Sequence, residues 1–259
     1  MAYKTVTLRE HAFKLAGRTG DRYFDGLGPN GDRESAFLAK VVGRAVRPHS
    51  IAIDVGANIG LTTALLSTVI RNGAIHAFEP SSSAFPHLVE TIAANAIANA
   101  RPYRLALSDR DGSARFFDNP ISAAASHLCA DGTLGNTTET VAVTTLDALA
   151  AAKGIGPVDF IKIDVEGFEP EVLLGAQETI RRDKPGVFLE FNSFTLIAYG
   201  NRNPRTFLEW LIEHFPHVYR FANGELRRIS GAHDMLDFLH SNLVDNRCVD
   251  DLYCCFEPL

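Results

Sequence analysis

Asp54-Val55-Gly56-Ala57-Asn58-Ile59-Gly60, preceded by Ile51-Ala52-Ile53 and followed by Leu61 to Ile70, is the stretch that decides the fold. A short apolar run that ends in a glycine turn and passes into residues of helical spacing is a strand, a tight turn and a helix, here closed by Asn72-Gly73. Glycines let the backbone approach a ligand, and the first turn of the helix presents unpaired N–H groups. A cofactor is therefore expected over this turn. A dinucleotide fingerprint beginning at Gly56 would need glycines at 58 and 61, but Asn58 and Leu61 stand there, which weakens a pyrophosphate reading.

Outward from this turn the chain alternates. Ala74 to Phe78 reads as a second strand, Ser81 to Ala98 as a second helix capped by Ser81 or Ser82, and Tyr103 to Leu107 as a third strand. Val158 to Ile163 and Val187 to Phe191 are two more strands, with helices at Leu146 to Ala152, Glu169 to Arg182 and Pro204 to His214. Upstream, Phe37, Leu38, Val41, Val42 and Val46 mark a helix from Glu34 to Val46, and the first ~32 residues read as a Gly-rich, irregular decoration. Extended segments at Val218 to Phe221, Leu226 to Arg228 and Cys248 to Phe256 end the chain. The expected fold is α/β: a Rossmann-like, doubly wound, mostly parallel sheet with an antiparallel C-terminal hairpin. The expected organisation is an N-terminal extension and helix over 1–48, then one domain over 49–259 with an insert at about 113–143, where Ala114 to Asp118 and Thr138 to Val143 are extended. Ligands of such sheets sit at the carboxyl ends of the strands, where every motif below falls.

Among 259 residues, 31 are acidic and 25 basic, a net charge of −6 with no block of five like charges. Nucleic acid is not expected as a partner, because phosphate binding needs clustered Lys and Arg. No run of about 18 apolar residues is present to span a bilayer, and the first residues lack the apolar region of a secretory signal, so the expected address is the cytoplasm. Cys129, Cys248, Cys254 and Cys255 show no Cys-x-x-Cys spacing and read as reduced thiols. Asn136-Thr137-Thr138 matches a glycosylation acceptor and is read as chance.

Glu79, in Phe78-Glu79-Pro80, ends the second strand and can accept hydrogen bonds from both ribose hydroxyls of a nucleoside. Asp54 to Gly60, Phe78-Glu79-Pro80 and Ile161-Lys162-Ile163-Asp164-Val165-Glu166-Gly167 together resemble the FkbM-type methyltransferases, over roughly residues 50 to 192. The resemblance implies the class I methyltransferase fold, S-adenosyl-L-methionine as methyl donor, and an oxygen of a small molecule, secondary metabolite or glycan as acceptor. It implies that Gly56, Asn58 and Gly60 neighbour the methionine part of the cofactor, that Glu79 holds the ribose and that Asp109 lies beside the adenine; Asp54 and Asp164 are counted with them as cofactor-binding residues.

Asp164 closes the fourth strand and Glu166 and Glu169 follow, so carboxylates gather where the methyl group should be. Lys162 shares a strand face with Asp164 and is expected to pair with a carboxylate. A neutral hydroxyl acceptor needs a base, and the candidates are Asp164, Glu166, Glu190 and His127, the last on a lid-like insert from Asn119 to Asn136. Glu190 and Asn192 share a face at the end of the fifth strand; with Asp164 they would make an oxygen-rich Mg²⁺ site, but the resemblance requires no metal and none is assigned. Asp164-Val165-Glu166-Gly167 is not the Asp/Asn-Pro-Pro-Tyr type of motif that serves amino groups of bases, which favours oxygen as nucleophile. Phe207, Trp210 and Leu211 read as a core stripe, and the loop from Asn192 to Asn203 as the acceptor wall, with Arg202 or Arg205 able to hold an anion. The rival readings are a nicotinamide-dependent oxidoreductase and a non-catalytic S-adenosylmethionine-binding domain. The oligomeric state is left open, a homodimer included.

Overall fold

The computed structural model describes residues 1–31, 33–130, 139–222 and 224–259, with side chains at all of these except 33–35. The glycosylation-like Asn136-Thr137-Thr138 and the distal part of the insert lie outside the described residues. Strands β1 (Ala2–Leu8) and β2 (His11–Gly17) form an antiparallel hairpin, followed by helices α1 (Arg22–Gly26) and α2 (Arg33–Ala45). The irregular decoration expected over the first ~32 residues is therefore corrected. Val6, Leu8, Phe13 and Leu15 are buried, and the turn at Arg9 and Glu10 has both residues at positive φ, 46° and 69°. Such a turn matches strand twist but is usually signalled by Asn or Gly, which are missing here.

From there the chain alternates through β3 (Ile51–Val55), α3 (Leu61–Ser67), β4 (Ala74–Phe78), α4 (Phe85–Ala94) and β5 (Ala100–Tyr103). A small second sheet then forms from β6 (Ala106–Leu107), β7 (Gly112–Phe117), β8 (His127–Leu128) and β9 (Glu139–Thr144), ordered β6-β9-β7-β8. The main path resumes with α5 (Leu146–Lys153), β10 (Phe160–Ile163), α6 (Glu169–Leu174), α7 (Gln177–Asp183) and β11 (Gly186–Asn192). It ends with α8 (Ser193–Ala198), α9 (Pro204–His214), β12 (His217–Ala222), β13 (Glu225–Arg228), α10 (Ala232–Val244) and β14 (Val249–Cys255).

The main sheet has eight strands in the order β13-β12-β14-β11-β10-β3-β4-β5. The pairs from β11 to β5 are parallel, and β14, β12 and β13 add antiparallel to the β11 edge, as expected. Strand periodicity sends Ile53, Val55, Ile161, Ile163, Val187 and Leu189 into the core on one face and Ala52, Phe160 and Phe188 into the core on the other. Burial on both faces is why these strands read as continuous apolar runs.

Three expected elements are interrupted. Tyr103 to Leu107 is not one strand: β5 pairs with β4, whereas β6 pairs with β9 in the small sheet. The second helix starts at Phe85 rather than Ser81, because the Ser81 hydroxyl accepts from the amides of Ser83 and Ala84 and forms a turn ahead of it. Glu169 to Arg182 divides into α6 and α7 at Gly175, which packs so closely on the chain that a Cβ there would stand 1.9 Å from the Ser108 carbonyl oxygen. No helix among the described residues is long and apolar enough to cross a membrane.

Candidate active site

The β3–α3 turn takes left-handed backbone at Gly56, Asn58 and Gly60. At Gly56 this coincides with a close approach: a Cβ would lie 1.8 Å from the carbonyl oxygen of Asp164 at the end of β10. The glycine turn and the fourth-strand motif are thus in direct contact. The amides of Gly56 and Ala57 donate to the Phe78 carbonyl at 3.0 and 2.9 Å, which ties the turn to the end of β4. There Glu79 is buried, accepting from the Asn58 amide (Oε2, 2.9 Å) and the Ser81 amide (Oε1, 2.8 Å). Burial pushes its carboxyl up to about 7, against the pull of these two donors.

Beneath the turn Asp54 is fully buried, and that burial raises its carboxyl; Thr63 donates to it at 2.6 Å. Lys162 is its register partner on β10, almost wholly buried, with Nζ 3.1 Å from Asp164 Oδ2. One cation thus stands among Asp54 and Asp164, and the expected pairing of Lys162 with a carboxylate is present.

Asp164, Glu166 and Glu190 bring carboxylate oxygens within 4.8 Å of one another. Burial raises the Glu166 carboxyl well above its ordinary value, and the charges of Asp164 and Glu169 push the same way. Glu166 also holds left-handed backbone (φ 54°), costly for a residue with a Cβ and therefore a point of stored strain. Glu169 is not part of the open cluster: its Oε1 accepts from the Val165 and Gly167 amides at 3.0 and 3.2 Å and braces the motif turn. Asn192 likewise has a structural duty, accepting from the Phe194 and Thr195 amides as the N-cap of α8.

Ala123, Ala124, Ser126, His127 and Leu128 of the insert border the same cavity as this floor. His127 is half-buried, its ring stacked on Tyr199 with centroids 3.7 Å apart and 5° between planes. Burial lowers its pKa. Its Nδ1 lies 3.0 Å from the Ala125 carbonyl, which only accepts, so the proton of the neutral ring sits on Nδ1 and Nε2 is the basic nitrogen.

One cavity, about 580 Å³ counting its open mouth, is lined by Gly56, Asn58 and Glu79 and also by Asp164, Glu166 and His127. A second, adjoining the first at Gly56, Asn58, Ala124 and Asp164, adds Lys162, Thr62 and Tyr23. Asp109 lines neither; it faces a neighbouring cavity with Arg110, Glu171, Asn201 and Arg202. Gly60 is the N-cap of α3 and lines neither cavity. Arg202 is ion-paired with Glu171, and Arg205 with Glu209. Phe207 and Leu211 are core, as expected, and Trp210 is half-buried with His214 stacked on it at 4.0 Å. All cysteines are free thiols. Tyr199 falls in the expected acceptor wall, which is partly helix α8 rather than a loop, and Ala124 in the expected lid; Tyr23 had no sequence signal as a site residue, and only the fold brings it here.

An open α/β sheet with this order, a glycine turn and an acid at adjacent strand ends defines the class I methyltransferase type. Residues 54–243 match the model of the Methyltransferase FkbM domain, and the chain belongs to that family. It is 31% identical over 129 residues to the hexuronic acid methyltransferase AglP of Haloferax volcanii, covering 49% of this chain and 50% of AglP. The chain thus spans about half the length of that curated relative. Among solved structures, a methyltransferase FkbM from Methylobacillus flagellatus superposes with TM-score 0.51 at 15% identity, covering 86% of this chain and 50% of that one. A chain of a fibrillarin/Nop5p complex gives 0.50 at 15% identity, with 98% and 97% covered. These two likenesses show the fold.

Proposed function

We propose that this protein transfers a methyl group from S-adenosyl-L-methionine to an oxygen of a small hydroxylated acceptor, a sugar unit of a glycan included. The observation that carries the reading is the single cavity that joins Gly56, Asn58 and Glu79 to Asp164, Glu166 and His127. Its residues fit the cofactor. Each Glu79 oxygen accepts one backbone N–H and keeps a second lone pair for a ribose hydroxyl. Asn58 Oδ1 is buried and makes no hydrogen bond among the described residues, so it suits the ammonium of the methionine part. Leu105, Ala106, Leu107 and Phe116 give the apolar wall an adenine ring needs. Asp109 lines the neighbouring cavity and not this one, so no adenine contact is assigned to it.

The bound cofactor supplies a sulfonium whose methyl group is open to direct displacement by a nucleophile. The chain's share is alignment and proton removal. Glu166, whose carboxyl burial raises well above its ordinary value, orients the acceptor oxygen. Asp164, fixed by Lys162, would present its carboxylate to the sulfonium of the bound cofactor. His127 Nε2 is the general base, since a neutral imidazole with its proton fixed on Nδ1 is ready to take one. Glu190 completes the acid cluster with Asp164 and Glu166, although it is not among the residues that line the cavity, and no catalytic role is assigned to it. The AglP relationship supports a hexuronic acid or a related sugar as acceptor. The test is incubation with methyl-labelled S-adenosylmethionine and a panel of hexuronides, neutral glycans and phenols. Base-stable label on a hydroxylated acceptor is expected; label that mild base releases as methanol would place the methyl on a carboxylate, and label on none would overturn the acceptor class.

A further inference from the structure

We infer that the N-terminal extension is part of the active site, with Asp21 the positioning residue that holds the roof segment 119–128 over the cofactor turn. This rests on the cofactor reading above. The roof is the stretch that carries Ala123, Ala124, Ser126, His127 and Leu128 into the first cavity, and Ala124 lines the second as well, opposite Asn58 and Asp164. Its own secondary structure is slight, a 3₁₀ turn at Ala123–Ala125 and the two residues of β8. Local bonds at Asn119 and Ser126 tie the segment to itself, and bonds from other elements fix where it sits.

The extension does so at consecutive points. Asp21, 4% exposed, accepts the Ala123 amide on Oδ2 at 2.8 Å while its Oδ1 caps α1 by accepting the Phe24 amide at 2.9 Å. The Arg22 amide donates to the Ile121 carbonyl at 2.8 Å, and Arg18 Nη2 donates to the Pro120 carbonyl at 2.6 Å. Tyr23, next in the chain, lines the second cavity beside Leu61, Lys162 and Asp164. The opposite end of the roof is fixed to the Glu79 turn, where Asp118 Oδ1 accepts from the hydroxyls of Ser81 and Ser83 at 2.9 Å each. The roof is therefore a strap anchored at one end by the cofactor-binding turn and along its length by a segment that precedes the matched family region. His127 rides on it, so the latch sets the position of the proposed base as well as closure over the cofactor.

Both sides of the Asp21–Ala123 bond can be altered. Asp21→Ala removes the acceptor; Ala123→Pro removes only the donor, and the first residue of a 3₁₀ turn after extended Ser122 (φ −149°, ψ 112°) accommodates proline. Stopped-flow dissociation of S-adenosylhomocysteine from the full chain is the measurement, with turnover on the best acceptor alongside. Both variants should release the product nucleoside roughly tenfold faster, the scale of a lost hydrogen bond to a carboxylate, and lower kcat more than acceptor KM. Asp21→Asn, which keeps one acceptor oxygen, should fall between. Dissociation and kcat within twofold of wild type in Ala123→Pro would overturn the latch. Failure of the unmodified protein to bind S-adenosylhomocysteine would overturn the cofactor reading beneath it.

Discussion

Glu79→Gln is the most informative single change. The carboxylate is buried and accepts two backbone amides, from Asn58 and Ser81; an amide side chain has one acceptor oxygen, so one buried N–H loses its partner at a cost of about 1–3 kcal/mol. The carboxyl's own charge works the other way. Its pKa rises from 4.5 to about 7, so at about 1.4 kcal/mol per pH unit the ionised group costs the fold about 3 kcal/mol. Because the folded value is raised, Glu79 contributes stability below pH 4.5 that is lost as pH climbs through about 7. Wild type should therefore outmelt Glu79→Gln at pH 5.5, and the gap should close or reverse at pH 8. At pH 8 the variant should bind S-adenosylhomocysteine about 1.5–3 kcal/mol more weakly, roughly 10–150-fold, since a charged acceptor is exchanged for a neutral one. Calorimetric titration and thermal melts at the two pH values read both quantities. Unchanged affinity would remove Glu79 from the ribose site, and a pH-independent gap in melting would refute its buried, proton-retaining state.

Asp164→Asn should depress turnover by at least tenfold while changing S-adenosylhomocysteine affinity less, on the scale of general acid–base and electrostatic contributions; equal losses would make Asp164 a binding residue only. Glu166→Gly should relieve left-handed strain worth about 1–2 kcal/mol and raise the melting temperature while lowering activity, and a destabilised variant would contradict the strain assignment at φ 54°. His127→Gln should abolish the acid limb of the pH–rate profile, which in the wild type should fall below the ordinary histidine range because burial lowers the His127 pKa; a limb that survives the substitution would move the base to a carboxylate. Gly175→Ala should cost more than about 3 kcal/mol of stability, because its Cβ would meet the Ser108 carbonyl at 1.9 Å, and a variant as stable as wild type would show that the two segments separate easily.

The doubly wound centre was legible because its strands are buried on both faces and its turns carry glycine: Ile51 to Gly60 alone implies a strand, a ligand-facing turn and a helix. Elements built on subtler chemistry were not. The first hairpin turns on Arg9 and Glu10 at positive φ, α8 begins at an Asn192 cap that reads equally well as a site residue, and α10 follows a loop with no sequence mark beyond Gly231. In the site, Glu79, Asp164 and Glu166 stood out because carboxylates at strand ends are conspicuous in one dimension. The stack of His127 on Tyr199 and the bond from Ala123 to Asp21 join residues far apart in the chain, and nothing local in the sequence registers such pairs. Asp109 shows the converse: two residues past the cavity wall at Leu107, it faces the next cavity instead.

The central claim is that the glycine turn and Glu79 hold the adenosyl cofactor of a methyl transfer. Titration of the purified chain with S-adenosylhomocysteine and, separately, with NAD and NADP tests it most directly. Binding of the first alone, near micromolar and therefore about −8 kcal/mol, is the predicted result. Binding of a nicotinamide nucleotide in its place would contradict the account and turn Asp164 and Glu166 toward redox chemistry.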